Sequence, residues 1–317
     1  MNRTLARLLC AIAAFASVAA NAQLFRAYLA PNGSDSNACT LAAPCRLLPT
    51  ALAAVADGGE VWILDSGNYN TAPVNVTKSV TILAVPGAVG SVVATNGNAF
   101  DIGTPGVNVV LRNLVMVPLP NGAAVSGVSV TAAASVIIDN CLIANMPNYG
   151  VTVVPTTSVK VRIDNSTIRG AGTNNLVGGV PYGIWVTPVG ANTTTTVDVA
   201  NTSVDGNVGG IIFTASGTAV IKAGVRDSRV RQNSDNGIAV QGPATVAVSH
   251  NMISDNSLNA IIVFTGGKVW VSGNTVHNNA TGLRMAGGVI ESAVNNEVRN
   301  NAGNDILGGS VVAVGMN

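Results

Sequence analysis

Residues able to do chemistry are scarce in this chain and fall on two lines. The first is charged: Lys160, Arg162, Asp164, Asp198, Lys222 and Arg226, followed by Lys268 and Trp270. Carboxylates at Asp164 and Asp198 could hold a hard cation, while Lys160, Arg162 and Lys222 could bind an anion or accept a proton. Arg162, Asp164, Asp198 and Lys222 are therefore the candidate catalytic residues. Because both signs interleave, a salt-bridged solvent face is the favoured reading of this line. The second line is aromatic and apolar: Tyr149, Tyr182, Trp185, Ile212 and Ile262, with Arg284 at its end. Such rings suit stacking on a flat ligand or a subunit interface, so these six are the candidate ligand-binding residues. The only histidines, His250 and His277, have no carboxylate in register and read as structural. Neither a cofactor nor a metal site is expected.

Both lines depend on a repeat that is clearest from Ala244 to Met285. One copy holds Val246-Ala247-Val248, Ser249-His250-Asn251, Ile253 and Ala260-Ile261-Ile262-Val263. The next holds Val269-Trp270-Val271, Ser272-Gly273-Asn274, Val276 and Gly282-Leu283-Arg284-Met285. Three short runs alternate at period two between turn residues, and none is long enough for a helix. So small a unit cannot bury its own apolar face and must stack on its neighbours.

Aligning the polar residue two before the inward Ile or Val gives a row of Asn113, Cys141, Ser166, Thr202, Ser228, Asn251, Asn274 and Asn296. From Ser228 onward the steps are 23, 23 and 22 residues, and the step from Ser166 to Thr202 is 36. A second mark, Gly-apolar-x-apolar, recurs at Gly127, Gly150, Gly183, Gly210, Gly237 and Gly282, with Ala260 substituting once. Three parallel strands per turn predict an all-β fold, a right-handed parallel β-helix or three-sided solenoid. Just before the ladder row stand Arg112, Asn140, Asn165, Asn201, Asp227, His250, Gly273 and Asn295. All but Arg112 tolerate positive φ, as a left-handed turn residue in each coil requires. The ladder residues themselves would stack as a hydrogen-bonded column inside the turn.

Over roughly residues 58–312 these repeats resemble those of the pectin lyase-like superfamily of right-handed parallel β-helix proteins. That resemblance is specific for fold and poor for function, since the superfamily includes pectate lyases, polygalacturonases, tailspikes and adhesins. It implies that any polysaccharide cleavage would lie on the Gly-apolar-x-apolar strand and its neighbour. The outward x positions there are Ser129, Thr152, Trp185, Ile212, Ala239, Ile262 and Arg284, a row without a carboxylate. Glycoside hydrolysis needs two carboxyl groups within about 10 Å, and a calcium-dependent lyase needs several acids and a base. The superfamily's hydrolase signature, a paired Asp with Gly-His-Gly and Arg-x-Lys, is also missing.

With 317 residues, 48% hydrophobic and 10% charged, the chain is globular, and its net charge of +1 gives no reason to expect nucleic acid. Residues 1–22 read as a secretory signal: Arg3 and Arg7, an apolar stretch from Leu8 to Ala20, and Ala20-Asn21-Ala22 before Gln23. No other run is apolar enough to span a membrane, so an exported mature protein, secreted or periplasmic, is expected. Residues 23–57 form an N-terminal cap. Cys39 and Cys45 within it most simply form a disulfide in an oxidising compartment, because a metal site would want more ligands. Leu47 to Ala56 has helical spacing and would plug the open end of a solenoid running over residues 58–317. One or two irregular coils are expected between Val74 and Phe100. Insertions at Ala171–Pro181 and Thr187–Thr195 flank one strand as two lips.

These features favour an exported β-helix that binds a polysaccharide or cell-surface glycan without cleaving it, as monomer or trimer. A polysaccharide lyase or hydrolase acting on an anionic glycan at the charged line is the alternative, and a structural or adhesive cell-surface protein the third reading.

Overall fold

The computed structural model describes residues 23–172 and 180–315. The expected signal sequence and the middle of the first lip lie outside the described residues.

The chain winds into three parallel sheets of 12, 10 and 10 strands among the described residues. Successive strands visit the sheets in rotation, so each sheet pairs strands from consecutive coils. One sheet, running through Val159–Asp164, Thr194–Ala200, Val220–Arg226 and Lys268–Ser272, carries the charged line and is called the charged sheet. After a sharp corner comes a short sheet, with strands such as Thr167–Arg169 and Met252–Ser254. A second corner leads to the glycine sheet, through Tyr149–Val153, Tyr182–Val186, Gly209–Thr214 and Asn259–Phe264. This is the right-handed parallel β-helix that the repeat predicts. Its core is the stacked inward column of each sheet, for example Ile163, Val199, Val225, Val248 and Val271.

The first corner holds a hydrogen-bonded column. Backbone N–H groups of Cys141, Ser166 and Thr202 donate to the side chains of Ser166, Thr202 and Ser228 at 3.1, 3.4 and 3.1 Å. Asparagine then takes over: the N–H groups of Ser228, Asn251 and Asn274 donate to Oδ1 of Asn251, Asn274 and Asn296 at 3.0, 3.0 and 2.9 Å. Asn113 departs from the aligned row by one residue. It adopts φ 56° itself, and Leu114 fills the slot that Cys141 occupies one coil later. The misfit at Arg112 thereby disappears, because Asn113, Asn140, Asn165, Asn201, Asp227, His250 and Gly273 are all left-handed. Asn295 departs too. The last coil gains a residue there, and exposed Val294 takes φ 63° instead.

The second corner holds another ladder, absent from the sequence expectations. Asn207, Asn233, Asn256 and Asn279 donate through their backbone N–H to Oδ1 of Asn233, Asn256, Asn279 and Asn301 at 3.0 to 3.2 Å. Asn145, Gly170, Gly206, Gln232, Asp255, Asn278 and Asn300 supply its left-handed residues. Leaving the second corner the coils pack tightly: a Cβ on Gly150 would stand 2.4 Å from Ile168 Cγ2 and 2.6 Å from the Gly183 carbonyl.

At the amino-terminal end, Leu24–Leu29 adds an outer strand to the charged sheet, and Cys39 and Cys45 form a disulfide beside it. The helix α1 (Leu48–Ala54) buries Leu48, Ala51 and Leu52 against the first strands. It is shorter than expected. Val55 is extended (φ −78°, ψ 144°) and opens the strand Val55–Ile63, so its apolar side chain serves the sheet rather than the helix. Between Val74 and Gly97 there is one complete coil.

Candidate functional site

On the glycine sheet the outward positions align as Asn75, Asp101, Ser129, Thr152, Trp185, Ile212, Ala239, Ile262, Arg284 and Leu307. The row therefore does include a carboxylate, Asp101, on a coil before the recognisable repeat. Its Oδ1 accepts from Asn98 Nδ2 at 2.7 Å.

Direction and exposure separate here. Trp185 and Ile212 are half-buried and Arg284 is exposed, but Ala239 and Ile262 are buried although they point outward. Tyr149 and Tyr182 are buried too, at the edge where the chain enters the sheet. Tyr149 stacks on Trp185 with centroids 4.6 Å apart and planes 20° apart, a geometry that pins the indole by one neighbour. Burial pushes the Tyr149 phenol above its ordinary range. Tyr182 lies flat over the next coil, where a Cβ on Gly209 would be 2.3 Å from its ring. Its phenol is pushed up to about 12, by burial first and then by the charge of Asp235, against an opposing hydrogen bond with Asn236. Asp235 is itself held above the ordinary carboxylate value by burial. Asn236 donates to Asp235 at 2.7 Å and accepts from Asn259 Nδ2 at 2.6 Å. Asp235 and Asn236 were missed in the sequence because they sit in the turn before the strand, out of the outward row. The available signal was Asp-Asn-Gly directly ahead of Ile238.

The two lips stand at opposite ends of Tyr182–Val186. The second folds back on the preceding coil, with the N–H groups of Thr187 and Val189 donating to the carbonyls of Val153 and Pro155 at 2.9 and 3.0 Å. Of the first, Gly172 donates to the Met146 carbonyl at 2.9 Å, and Val180 is exposed.

On the charged sheet, register brings Arg162 beside Asp198 and Asp164 beside Ala200, and Lys222 beside Thr196. Arg162 pairs with Asp164 and approaches Asp198 at 4.0 Å, and Arg226 holds Asp198 at 3.2 Å. Burial raises the Asp164 carboxyl, but bonds from Asn201 and Arg162 outweigh it and hold the group below its usual value. Both carboxylates are thus engaged by guanidinium groups. Among the described residues no three His, Cys, Asp or Glu side chains converge as a metal site. Lys160 and Lys222 are exposed and make no ion pair there.

Residues 182–315 match the family described as a right-handed β-helix region. The fold is a right-handed parallel β-helix. Among solved structures, this β-helix is similar to pectate lyase Pel9A at 16% identity and TM-score 0.56, over 84% of this chain and 74% of that one. It is similar to XylC, solved with xylose, at 9% identity and TM-score 0.58 over 84% and 68%. It also resembles an alginate lyase from Paenibacillus sp. strain FPU-7, at 14% identity and TM-score 0.51 over 92% and 99%. At these identities the likeness concerns the fold alone. No protein of curated function matches the sequence.

Proposed function

We propose that this β-helix is exported and binds a glycan along the glycine sheet without cleaving it. The observation that carries the reading is the Tyr149–Trp185 stack on the outward row, where a half-exposed indole is fixed in place beside Ile212. A preorganised ring platform lowers the ordering cost of binding a sugar face. Tyr182 and Ile262, buried on the same side, serve as its support, and Arg284 closes the far end. Asp101 and Asp235 belong to coils about five steps apart, roughly 24 Å at about 4.8 Å per coil, well beyond the spacing of a hydrolytic carboxyl pair. Export is supported by the apolar Leu8–Ala20 stretch behind Arg3 and Arg7, and by the Cys39–Cys45 disulfide. Among the described residues no helix is long and apolar enough to cross a membrane.

The test is a glycan array run with the mature chain and with Trp185→Ala, together with an assay for unsaturated uronide and reducing-end products. Binding that drops at least tenfold in the variant, with no product formed, is the expected result. Product formation would make the protein a lyase or hydrolase, and the charged-sheet residues Arg162, Asp164, Asp198 and Lys222 would then be the first to substitute. Absence of both binding and product overturns the glycan reading in favour of a structural or adhesive role.

A further inference from the structure

The two ends of the β-helix are finished differently. At the amino-terminal end the outermost strand of the charged sheet, Leu24–Leu29, has its free edge covered by the disulfide loop. The Tyr28 N–H donates to the Cys39 carbonyl at 2.8 Å, and the Cys45 N–H to the Tyr28 carbonyl at 2.9 Å. Helix α1 lies over the first coil beside it, with Leu48, Ala51 and Leu52 buried and the Leu48 N–H donating to the Tyr69 carbonyl at 2.8 Å. At the carboxyl-terminal end the outermost strands of the three sheets are Val312–Ala313, Glu297–Val298 and Asn304–Leu307. No described strand pairs with their outer edges, and a bare strand edge is a template for further pairing.

Core positions lie open at that end. Ile306 continues the column of Leu283, which is 3% exposed, yet is itself 47% exposed. Val298 continues the column of buried Val276 and is only half-buried. With Leu283, Val294, Val311 and Ala313 they line an apolar depression of about 320 Å³. The charges around it are already matched. Glu297 pairs with Arg299, Glu291 with Lys268 at 2.7 Å, and Asp305 Oδ1 accepts from the N–H and Nδ2 of Asn301 at 3.2 and 2.8 Å. That last contact closes the second-corner ladder. The first stays open: the N–H groups of Asn251 and Asn274 meet the next asparagine, but that of Asn296 has no partner among the described residues.

We infer that this end is an interface, and that its occupant is the same end of a second copy of the chain. A partner must be apolar, nearly free of unmatched charge and able to offer a strand edge, and the end itself has all three properties. Asn304–Leu307 is the longest of the three free edges. A two-fold axis through its middle and the centre of the bore pairs it antiparallel with its copy and keeps the two bores in line. Ile306, Val298 and Val294 of each copy then close the depression of the other. A coil of about 22 residues at about 3.3 Å each has a cross-section, side chains included, of about 600 Å², so the contact buries about 1,200 Å² in all, where stable interfaces begin. Growth stops at two, because the end that a head-to-tail contact would need is covered by α1 and the disulfide loop. The contact requires no glycan on the glycine sheet.

Sedimentation equilibrium and small-angle scattering of the mature chain test it. The expected result is a reversible monomer–dimer equilibrium, with a dimer about twice as long as the monomer and of unchanged cross-sectional radius of gyration. Association should hold or tighten as sulfate is added, as burial of apolar surface does. Val294→Lys and Ile306→Lys should each weaken the dimer at least tenfold, while Phe25→Lys, at the covered end, leaves it unchanged. Val294 is 74% exposed in a turn at φ 63°, where a β-branched residue is already strained, so Val294→Lys probes the interface without harm to the fold. Thermal unfolding checks Ile306→Lys. The inference is overturned if the wild type stays monomeric up to its solubility limit, or if it forms trimers or filaments. A side-by-side dimer with an enlarged cross-section, or a folded Val294→Lys or Ile306→Lys that dimerises as the wild type does, overturns it equally.

Discussion

The glycine sheet and the charged sheet are built from the same coils and differ in what fills their outward sides. On the glycine sheet the outward residues bury one another: Tyr149 lies on Trp185, Tyr182 lies on Gly209, and Ile262 is closed over. On the charged sheet, Arg162, Asp164, Asp198 and Arg226 satisfy one another laterally and leave the space above Gly224 empty. One face therefore presents a rigid, dry platform and the other a wet trough with fixed charges. The lesson is that a solenoid sets direction at period two, while the lengths of side chains on neighbouring coils decide what is accessible.

The largest effect is expected where neither face is favoured, at the corner ladder that both share. Asn274 donates to the Val248 carbonyl at 2.7 Å and to Asn296 Oδ1 at 2.8 Å, and accepts from the Asn251 N–H at 3.0 Å. Asn274→Leu leaves those buried groups without partners, each costing about 1–3 kcal/mol, for a loss of about 3–5 kcal/mol in denaturant unfolding. Ligand binding on the glycine sheet should be lost at the same new midpoint. A variant that unfolds like the wild type would mean the ladder is decorative.

The contrast between the faces is sharpened by the same substitution on each. Gly209→Val drives a side chain into the Tyr182 ring 2.3 Å away and should cost about 1–3 kcal/mol, with the tyrosine fluorescence altered. Gly224→Val enters open space and replaces a poor strand residue by a good one, so its stability should stay within about 0.5 kcal/mol or rise slightly. Equal losses at both positions would erase the distinction drawn between platform and trough.

What could be read from the sequence follows from this division. The fold was legible because Asn251, Asn274 and Asn296 precede an inward residue at a nearly constant step, and each is needed for a buried hydrogen bond. The second ladder obeys the same arithmetic: Gln232-Asn233, Asp255-Asn256, Asn278-Asn279 and Asn300-Asn301 repeat in step with it. It escaped notice because only one polar residue per coil served as the anchor. At Asn113 the polar anchor misled, since the true ladder slot holds Leu114 and asparagine serves the left-handed turn equally well. The candidate sites were less legible. Burial of Ile262 and Tyr182 is set by the packing of neighbouring coils, and the emptiness over Gly224 depends on side chains that are absent. Asp101 was overlooked because its coil precedes the regular repeat.

The smallest effect distinguishes the faces by the sign of their pH response. Asp164, on the charged sheet, has a carboxyl lowered below 3.8, because bonds from Asn201 and Arg162 overcome burial. Its contribution is complete above the unfolded value and is lost as pH falls through the folded one. Asp235, beside the glycine sheet, is raised above 3.8 by burial. Its contribution is present below the unfolded value and is lost as pH rises through the folded one, so the ionised group opposes folding near neutrality. Urea midpoints near pH 7 should therefore drop for Asp164→Asn, by about 1 kcal/mol, and hold or rise for Asp235→Asn. Toward pH 3 the deficit of Asp164→Asn should shrink, and any advantage of Asp235→Asn should vanish with it. If the two variants shifted in the same direction at neutral pH, the carboxylates would share one environment, and the dry platform would have to be given up first.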